Sequence, residues 1–414
     1  MDEEQKSSQS SKPVMLVPGH PVAQGYWRGL SEHYDLCFMY PQALEYAASL
    51  NLRCLSLIQF QNGDTQEHAL NAAAQTVAKA VQNARVIAGR LISSLDGSAP
   101  QEFHSAVDWW PGYVMQHAQA LASESALLTQ LSNVREIAGC VVHEDVAPDT
   151  RGMVLWCKAR GIPTIHVPHA ACHLRPDGGP DIHRESRCDW ILASGEYERD
   201  FYSASGHPLE RIVIVGAPQM DGLYADEAMP NRDEARRVLD IDNDRVICYA
   251  GTWSQTTAIR GSGTAEIDDG LRAVIELVHE WKAVLIIKSH PNGGDDKAFE
   301  NALRSTNTPG LITKHYLSYA VRAADVLIAQ GPSNICIDAA ILGTPSAYIQ
   351  TEGFDYAHAL PFRSSAEGLG LVALQAMDSR GDPAWQDFIR LYNAAHPVGA
   401  ASESIVEKVV ELCR

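Results

Sequence analysis

The stretch Ala324-Asp-Val-Leu-Ile-Ala-Gln-Gly-Pro-Ser-Asn334 runs directly into Ile335-Cys-Ile-Asp-Ala-Ala-Ile-Leu342, and Gly343 follows. Val326–Ala329 is a short apolar run of the kind that forms a buried strand. Ile335–Leu342 reads as a helix, and the glycine after it is a stop signal. Between the two lie Gln330, Gly331, Pro332, Ser333 and Asn334, small or polar residues at the end of a strand and the start of a helix. Pro345–Ile349 then reads as another strand. Strands joined through helices must run parallel, because a crossover of a dozen residues or more is what lets the chain return in the same direction.

Working outward, the same alternation fills nearly the whole chain. Downstream of about residue 245 the expected strands are Arg245–Ala250, Val284–Lys288, Val326–Ala329 and Pro345–Ile349, with helices at Ile267–Trp281 and Leu317–Ala324. Upstream, strands are expected at Val14–Val17, Asp35–Tyr40, Leu52–Phe60, Ile137–Val142, Thr164–Val167, Trp190–Ala193 and Arg211–Val215. Helices are expected at about Glu67–Leu95, Trp109–Leu131, Asp149–Arg160 and Glu196–Ser203. The segment Asp221–Asp244 is polar and acidic, carries Pro230, and has one short helix near Asp233–Leu239; it reads as a joint. The expected class is therefore α/β, with two Rossmann-like doubly wound domains facing across a cleft. The boundaries that follow are a disordered tail over 1–12, an N-terminal acceptor domain over 13–222, a linker over 223–244, a C-terminal nucleotide-donor domain over 245–385, and C-terminal helices over 386–414 that pack back on the first domain.

Composition narrows the function. A chain of 414 residues exceeds the size of one ordinary core, which favours two domains. Its net charge of −18 gives no general attraction to nucleic acid or anionic lipid, so no nucleic-acid partner is expected. No stretch approaches the roughly 20 apolar residues of a membrane helix. The nine cysteines include no C-x-x-C pair, and most lie in apolar runs, as free thiols of a reducing, cytoplasmic compartment do. The inner face of the membrane stays open as a place of work. An acidic chain binds a nucleotide diphosphate against its own field. Its phosphate site must then be local, built from N–H groups, helix N-termini and a few His, Arg or Lys.

Three strand ends in the second half meet that description: Gly251-Thr252, Ser289-His290-Pro291 and Gly331-Pro332-Ser333-Asn334. Carboxyl ends of parallel strands share one edge, so these loops converge. Ser333 and Asn334 stand at a helix N-terminus, where they either cap the helix or meet a phosphate oxygen. His290, fixed by Pro291, is suited to donate to a phosphate or a leaving oxygen. In the first half, His166-Val-Pro-His169 closes a strand and His143-Glu144-Asp145 closes another. Glu144 or Asp145 suits deprotonation of an acceptor hydroxyl, and Asp145 equally suits a helix cap. Asp221 follows Gly216-Ala217-Pro218 at the joint, facing the cleft or ending a turn. Neither G-x-G-x-x-G nor a Walker A sequence occurs, which disfavours NAD and P-loop chemistry. The H-x-x-H pair at His166 and His169 lacks the H-E-x-x-H pattern, so no metal is expected, and no cofactor.

The order of these pieces resembles a known family. Gly161-Ile-Pro-Thr-Ile-His-Val-Pro-His169 looks like the strand of the CDP-glycerol glycerophosphotransferases of teichoic-acid synthesis, with Ala170 in place of a glycine. Val215-Gly-Ala-Pro-Gln-Met-Asp221 resembles their joint, and Tyr249-Ala-Gly-Thr-Trp253 their Y-A-P-T-W loop, with Gly251 for proline. Ile286-Ile-Lys-Ser-His-Pro291 and Ala324–Asn334 through Asp338 resemble their remaining two motifs, with Gln330 or Gly331 replacing an aspartate. The His-Pro pair also looks like that of bacterial transferases using CMP-sialic acid or CMP-Kdo. The resemblance covers about Val141–Ile349 and implies a two-domain (GT-B) transferase. It implies donor contacts from Ser333 and His290, and His169 near the transferred group. The expected donor set is Gly251, Thr252, Trp253, Lys288, His290, Pro291, Gly331, Ser333 and Asn334, with Asp338 and Glu352 meeting a ribose or sugar hydroxyl. The expected catalytic set is Glu144, Asp145, His169, Asp221 and His290.

The expected activity is a metal-independent glycosyl transfer from a CMP-, CDP- or UDP-linked donor, a substrate and not a cofactor, to a glycan or lipid-linked hydroxyl acceptor in bacterial envelope polysaccharide synthesis. The alternatives are polyol-phosphate transfer from CDP-glycerol, and a UDP-GlcNAc 2-epimerase-like isomerase or hydrolase. The latter family carries a Ser-Gly-Gly turn that Gly331-Pro-Ser-Asn does not match.

Overall fold

A computed structural model describes residues 12–18, 25–94, 101–145, 148–168, 175–176, 186–224, 229–251, 269–289, 296–313, 317–350, 354–395 and 397–414. The chain divides into two compact units. One comprises residues 1–169, 185–191 and 405–414; the other comprises 170–184 and 192–404.

The first unit opens with β1 (Val14–Val17), α1 (Gly25–His33), β2 (Asp35–Phe38), α2 (Pro41–Ser49) and β3 (Cys54–Ser56). Two long helices follow, α3 (Gly63–Ser94) and α4 (Gln101–Val134), then β4 (Ile137–Val142), α5 (Pro148–Lys158) and β5 (Thr164–His166). Beyond it come β6 (Arg175–Pro176), which belongs to the second unit, β7 (Trp190–Ala193), whose first two residues belong to the first unit, and α6 (Glu196–Ala204) and β8 (Ile212–Ile214), which belong to the second. The seven-stranded sheet has the order β3-β2-β1-β4-β5-β7-β8. The registers from β3 to β7 are parallel. Val14, Leu16, Cys140 and Val142 turn one face of it toward Leu128, Leu131, Met153 and Trp156 of α4 and α5. The strand expected over Leu52–Phe60 is shorter than that. It pairs only as Cys54–Ser56 at the sheet edge, and Leu57–Phe60 is a 3₁₀ turn with Ile58 66% exposed. An edge position offers ladder partners on one side only, so nothing extends the strand past Ser56.

The second unit continues with α7 (Arg232–Val238), β9 (Val246–Ala250), α8 (Asp269–Trp281), β10 (Val284–Lys288), α9 (Asp296–Ser305), β11 (Gly310–Thr313), α10 (Leu317–Ala323) and β12 (Val326–Gln330). Then come α11 (Asn334–Ile341), β13 (Ser346–Ile349), β14 (Phe354–Asp355), β15 (Phe362–Ser364), α12 (Leu369–Asp378), α13 (Ala384–Tyr392) and α14 (Ala401–Leu412), which belongs to the first unit from Ile405 on. The second unit's six-stranded sheet has the order β11-β10-β9-β12-β13-β15, parallel throughout. The β9 sequence Val-Ile-Cys-Tyr-Ala is buried at every residue, as expected of a strand covered on both faces. Successive side chains alternate. Cys248 and Ala250 join Leu327, Ala329 and Ile337 on one face, and Ile247 and Tyr249 join Val274, Leu285 and Ala373 on the other.

α7 lies inside the stretch that the sequence marks as a joint. Its first turn is capped by Asn231, whose Oδ1 accepts from Glu234 N–H at 2.9 Å, and Ala235 is buried in the core. The amino-terminal edge of the six-stranded sheet is held by Asp325, just before β12. Its carboxylate accepts from Val246 N–H at 2.8 Å and Arg236 Nη2 at 3.0 Å, and it also pairs with Arg232. Arg380 Nη2 donates to the Asp325 carbonyl at 2.8 Å. No helix among the described residues is long and apolar enough to cross a membrane.

Candidate functional site

In both sheets the strand order reverses beside the first strand of the set, between β1 and β4 and between β9 and β12. Such a reversal opens a crevice outside the carboxyl ends of the strands, because the loops on its two sides lead to opposite faces. In the second unit the register fixes what stands there. Ala250 of β9 pairs with Lys288 of β10 and with Ala329 of β12. The next residues, Gly251, Ser289 and Gln330, therefore occupy one row at strand spacing of about 4.8 Å. The three loops singled out in the sequence thus start from adjacent points on one edge. Thr252, Trp253, His290, Pro291 and Glu352 lie outside the described residues, and so does His169.

Each described member of that edge has a distinct part. Gly331 turns the chain at φ +81°, a conformation that favours glycine. Gln330 is buried, and its Oε1 accepts from the Tyr249 hydroxyl at 2.9 Å. Gly270 of α8 lies against this amide so closely that an added Cβ would stand 2.2 Å from Oε1. Gln330, which with Gly331 stands in the region of the motif's aspartate, is therefore a prop between β9 and β12. Ser333 takes the N-cap position of α11 with extended backbone, φ −156° and ψ 152°, but its side chain makes no capping bond. Its backbone is held instead by Tyr356: Ser333 N–H donates to the Tyr356 hydroxyl at 3.0 Å, and that hydroxyl donates to the Ser333 carbonyl. Asn334 is the first residue of the helix and is half-buried.

Lys288 and Asp338 supply the charge. Lys288 is buried at the end of β10, and its Nζ donates to the Ser289 carbonyl at 2.9 Å. Ser289 Oγ donates to Asp296 Oδ1 at 2.6 Å, at the first turn of α9. Asp338 sits on α11 one turn in from its start. Burial pushes its carboxyl up to about 7, and the nearby Lys288 ammonium opposes that rise. Asp338 also bears on Tyr224, which burial, Asp221 and Asp338 together push up to about 12 against a hydrogen bond with Asn393. At neutral pH Asp338 therefore changes readily between a donor and an acceptor of hydrogen bonds.

The first-half candidates separate. His143 and His166 are buried beside the strand ends of β4 and β5, and Glu144 is half-buried. Asp145 is buried; its Oδ2 accepts from Arg187 N–H and from Ser186 Oγ at 3.2 Å, and its carbonyl accepts from Arg151 Nε at 2.6 Å. It anchors the chain before β7. Asp221 is half-buried in the turn Pro218–Tyr224. Its Oδ1 and Oδ2 accept from the N–H groups of Ala401 and Ser402, at 2.9 and 2.8 Å, and so cap α14. The residues that sequence reading missed are Tyr356 and Asn393. Asn393 Oδ1 accepts from Ala217 N–H at 2.9 Å and so holds the turn after β8. Nothing local marks either residue in the sequence, since each acts on a partner more than 20 residues away. Among the described residues no group of three or more His, Cys, Asp or Glu could hold a metal ion.

Part of the chain matches a known family, and its fold recurs in solved structures. The match covers residues 161–361 and is to the family described as CDP-Glycerol:Poly(glycerophosphate) glycerophosphotransferase. Solved structures share the fold along nearly the whole chain. The UDP-GlcNAc 2-epimerase of Neisseria meningitidis, bound to UDP-GlcNAc, superposes with TM-score 0.56 at 14% identity, over 97% of this chain and 100% of that one. The UDP-N-acetylglucosamine 2-epimerase of Rickettsia bellii gives 0.56 at 12%, over 97% of each chain. A variant of the wall teichoic acid polymerase TagF gives 0.52 at 14%, over 98% of this chain and 89% of that one. No curated protein matches the chain in sequence.

Proposed function

We propose that the carboxyl edge of the six-stranded sheet binds the diphosphate of a nucleotide-linked donor, and that the chain transfers the activated group to a hydroxyl of a glycan or polymer. The observation that carries this reading is the row Gly251, Ser289 and Gln330 at the strand reversal, with the Ser333 hydroxyl and the start of α11 immediately beyond it. The family match over residues 161–361 favours a CDP-linked polyol phosphate as donor. In that case the acceptor oxygen attacks the distal phosphorus, the bond from that phosphorus to the bridging oxygen breaks, and CMP departs. With a sugar as the group, attack falls on the anomeric carbon and the nucleotide phosphate departs. Either way an anion leaves toward the same edge. The α11 dipole, the Ser333 hydroxyl and His290 are the groups proposed to receive it, without a metal.

Lys288 is proposed to act on that charge from beneath, through Asp338 and the Ser289 carbonyl. Asp338 and Glu352 are proposed to meet donor hydroxyls. The carboxylates of Asp145 and Asp221 are already bonded to N–H groups. Glu144 or His169 is proposed to take the acceptor's proton. A place of work at the inner face of a membrane suits a lipid-linked acceptor.

The deciding experiment is a calorimetric and thermal-shift series with CDP, CMP, UDP and GDP, followed by turnover with CDP-glycerol and an acceptor. A melting temperature raised by one nucleotide, with release of CMP only when acceptor is present, is the expected result. No shift with any of the four would overturn the donor site. An epimerase-type isomerisation is the second reading, favoured by the shared fold of the two epimerases. It requires conversion of UDP-GlcNAc with no acceptor added.

A further inference from the structure

We propose that Tyr356 is a positioning residue for the donor-phosphate loop, an inference that rests on reading the carboxyl edge as the donor site. A serine at an N-cap ordinarily turns its hydroxyl back to an N–H of the first helical turn. At Ser333 that bond is absent. The backbone is fixed from outside, by one phenol hydroxyl that accepts from the Ser333 N–H and donates to the Ser333 carbonyl. The same carbonyl also accepts from Cys336 N–H at 2.9 Å. Because the backbone is clamped in this way, the Ser333 hydroxyl is not needed to start the helix and is available to a ligand oxygen.

The clamp is itself rigidly held. Tyr356 is 3% exposed, and its ring packs edge-on against Tyr348, Phe388 and Tyr392, with centroids 5.5, 5.3 and 5.3 Å away. Its neighbours in sequence are pinned as well. Asp355 accepts from the Tyr348 hydroxyl and from Arg363 Nη1 at 2.7 Å, and Ala357 N–H donates to the Tyr392 hydroxyl at 2.8 Å. β14 pairs antiparallel with β6, setting Asp355 opposite Arg175. Tyr356 thus has no freedom to follow Ser333, and the loop is referenced to β13, β14 and α13 through one oxygen atom.

Tyr356→Phe removes that atom and keeps the ring packing. Amide exchange of the segment 331–337 without ligand is expected to quicken about tenfold, the worth of one such bond. The nucleotide dissociation constant is expected to rise about tenfold, while turnover at saturating donor stays within about twofold. Ser333→Ala weakens nucleotide binding but leaves the exchange of 331–337 unchanged. Tyr392→Phe, which frees Ala357 and leaves the Tyr356 hydroxyl in place, gives a smaller rise in exchange at the same segment. Exchange in Tyr356→Phe within twofold of wild type overturns the proposal, and so does faster exchange with unaltered nucleotide binding. If Tyr356→Phe does not fold, unchanged exchange in Tyr392→Phe overturns it as well. A wild-type chain that binds none of the four nucleotides removes the donor-site reading itself, a failure visible before any variant is measured.

Discussion

The two edges of the six-stranded sheet are built to different rules. At the amino edge the carboxylate is committed: Asp325 is bonded to Val246, Arg232 and Arg236, and Arg380 closes on its carbonyl. At the carboxyl edge Ser333 keeps its hydroxyl out of the helix cap, and Asp338 is half-buried with a raised pKa beside Lys288. A carboxylate of the first kind holds the fold together. One of the second kind lowers stability, and it persists where a ligand gives it a partner. The first-unit carboxylate Asp145 and the capping Asp221 follow the amino-edge rule.

The sharpest way to break this contrast is Asp325→Ala, which leaves two guanidiniums facing each other in a largely buried place. A loss of about 3 kcal/mol in a urea titration is expected, the lower end for a buried pair because Arg232 is partly exposed. Nucleotide affinity of the folded fraction should be unchanged. Asp221→Ala removes both acceptors from the start of α14 and is expected to cost about 1–2 kcal/mol in the same titration, again without effect on nucleotide binding.

Asp338→Asn should do the reverse. Nucleotide affinity at pH 8 falls about tenfold by calorimetry if the ionised carboxylate accepts from a donor hydroxyl. Stability rises, and its pH dependence is diagnostic. The folded pKa is raised from 3.8 to about 7, so the folded chain holds a proton that the unfolded chain has released. Wild type therefore loses stability as pH climbs from about 4 to about 7 and then levels off, a loss the asparagine variant lacks. A variant less stable than wild type at pH 8 would place Asp338 with Asp325 instead. The smallest effect is expected for Ser333→Ala: nucleotide binding weakened about fivefold, with the urea midpoint scarcely moved.

Much of the second unit was legible from its sequence. Val284–Lys288 and Val326–Ala329 are apolar enough, and bounded sharply enough by polar loops, that strand, loop and helix follow from pattern alone. Their common edge follows from parallel pairing. The roles of individual polar residues were less accessible. Asp221 sits three residues past Pro218 in a turn, and only the folded chain brings Ala401 and Ser402 to it. Gln330 occupies a motif position but is spent on Tyr249. Tyr356 has no local signature, because a hydroxyl that grips a backbone 23 residues away leaves no mark on periodicity. The edge strand β3 was overestimated for a related reason. Leu52–Phe60 has the apolar content of a strand, but neighbours decide how far a strand extends.

The cap on α14 also bears on how the molecule assembles. The oxygens that begin this last helix belong to a residue 180 positions upstream of it. As the chain leaves the ribosome, the fastener exists long before the piece it fastens. A C-terminal fragment made alone carries the helical residues without their starter, so its helix content should be poor until the turn at residues 218–224 is supplied.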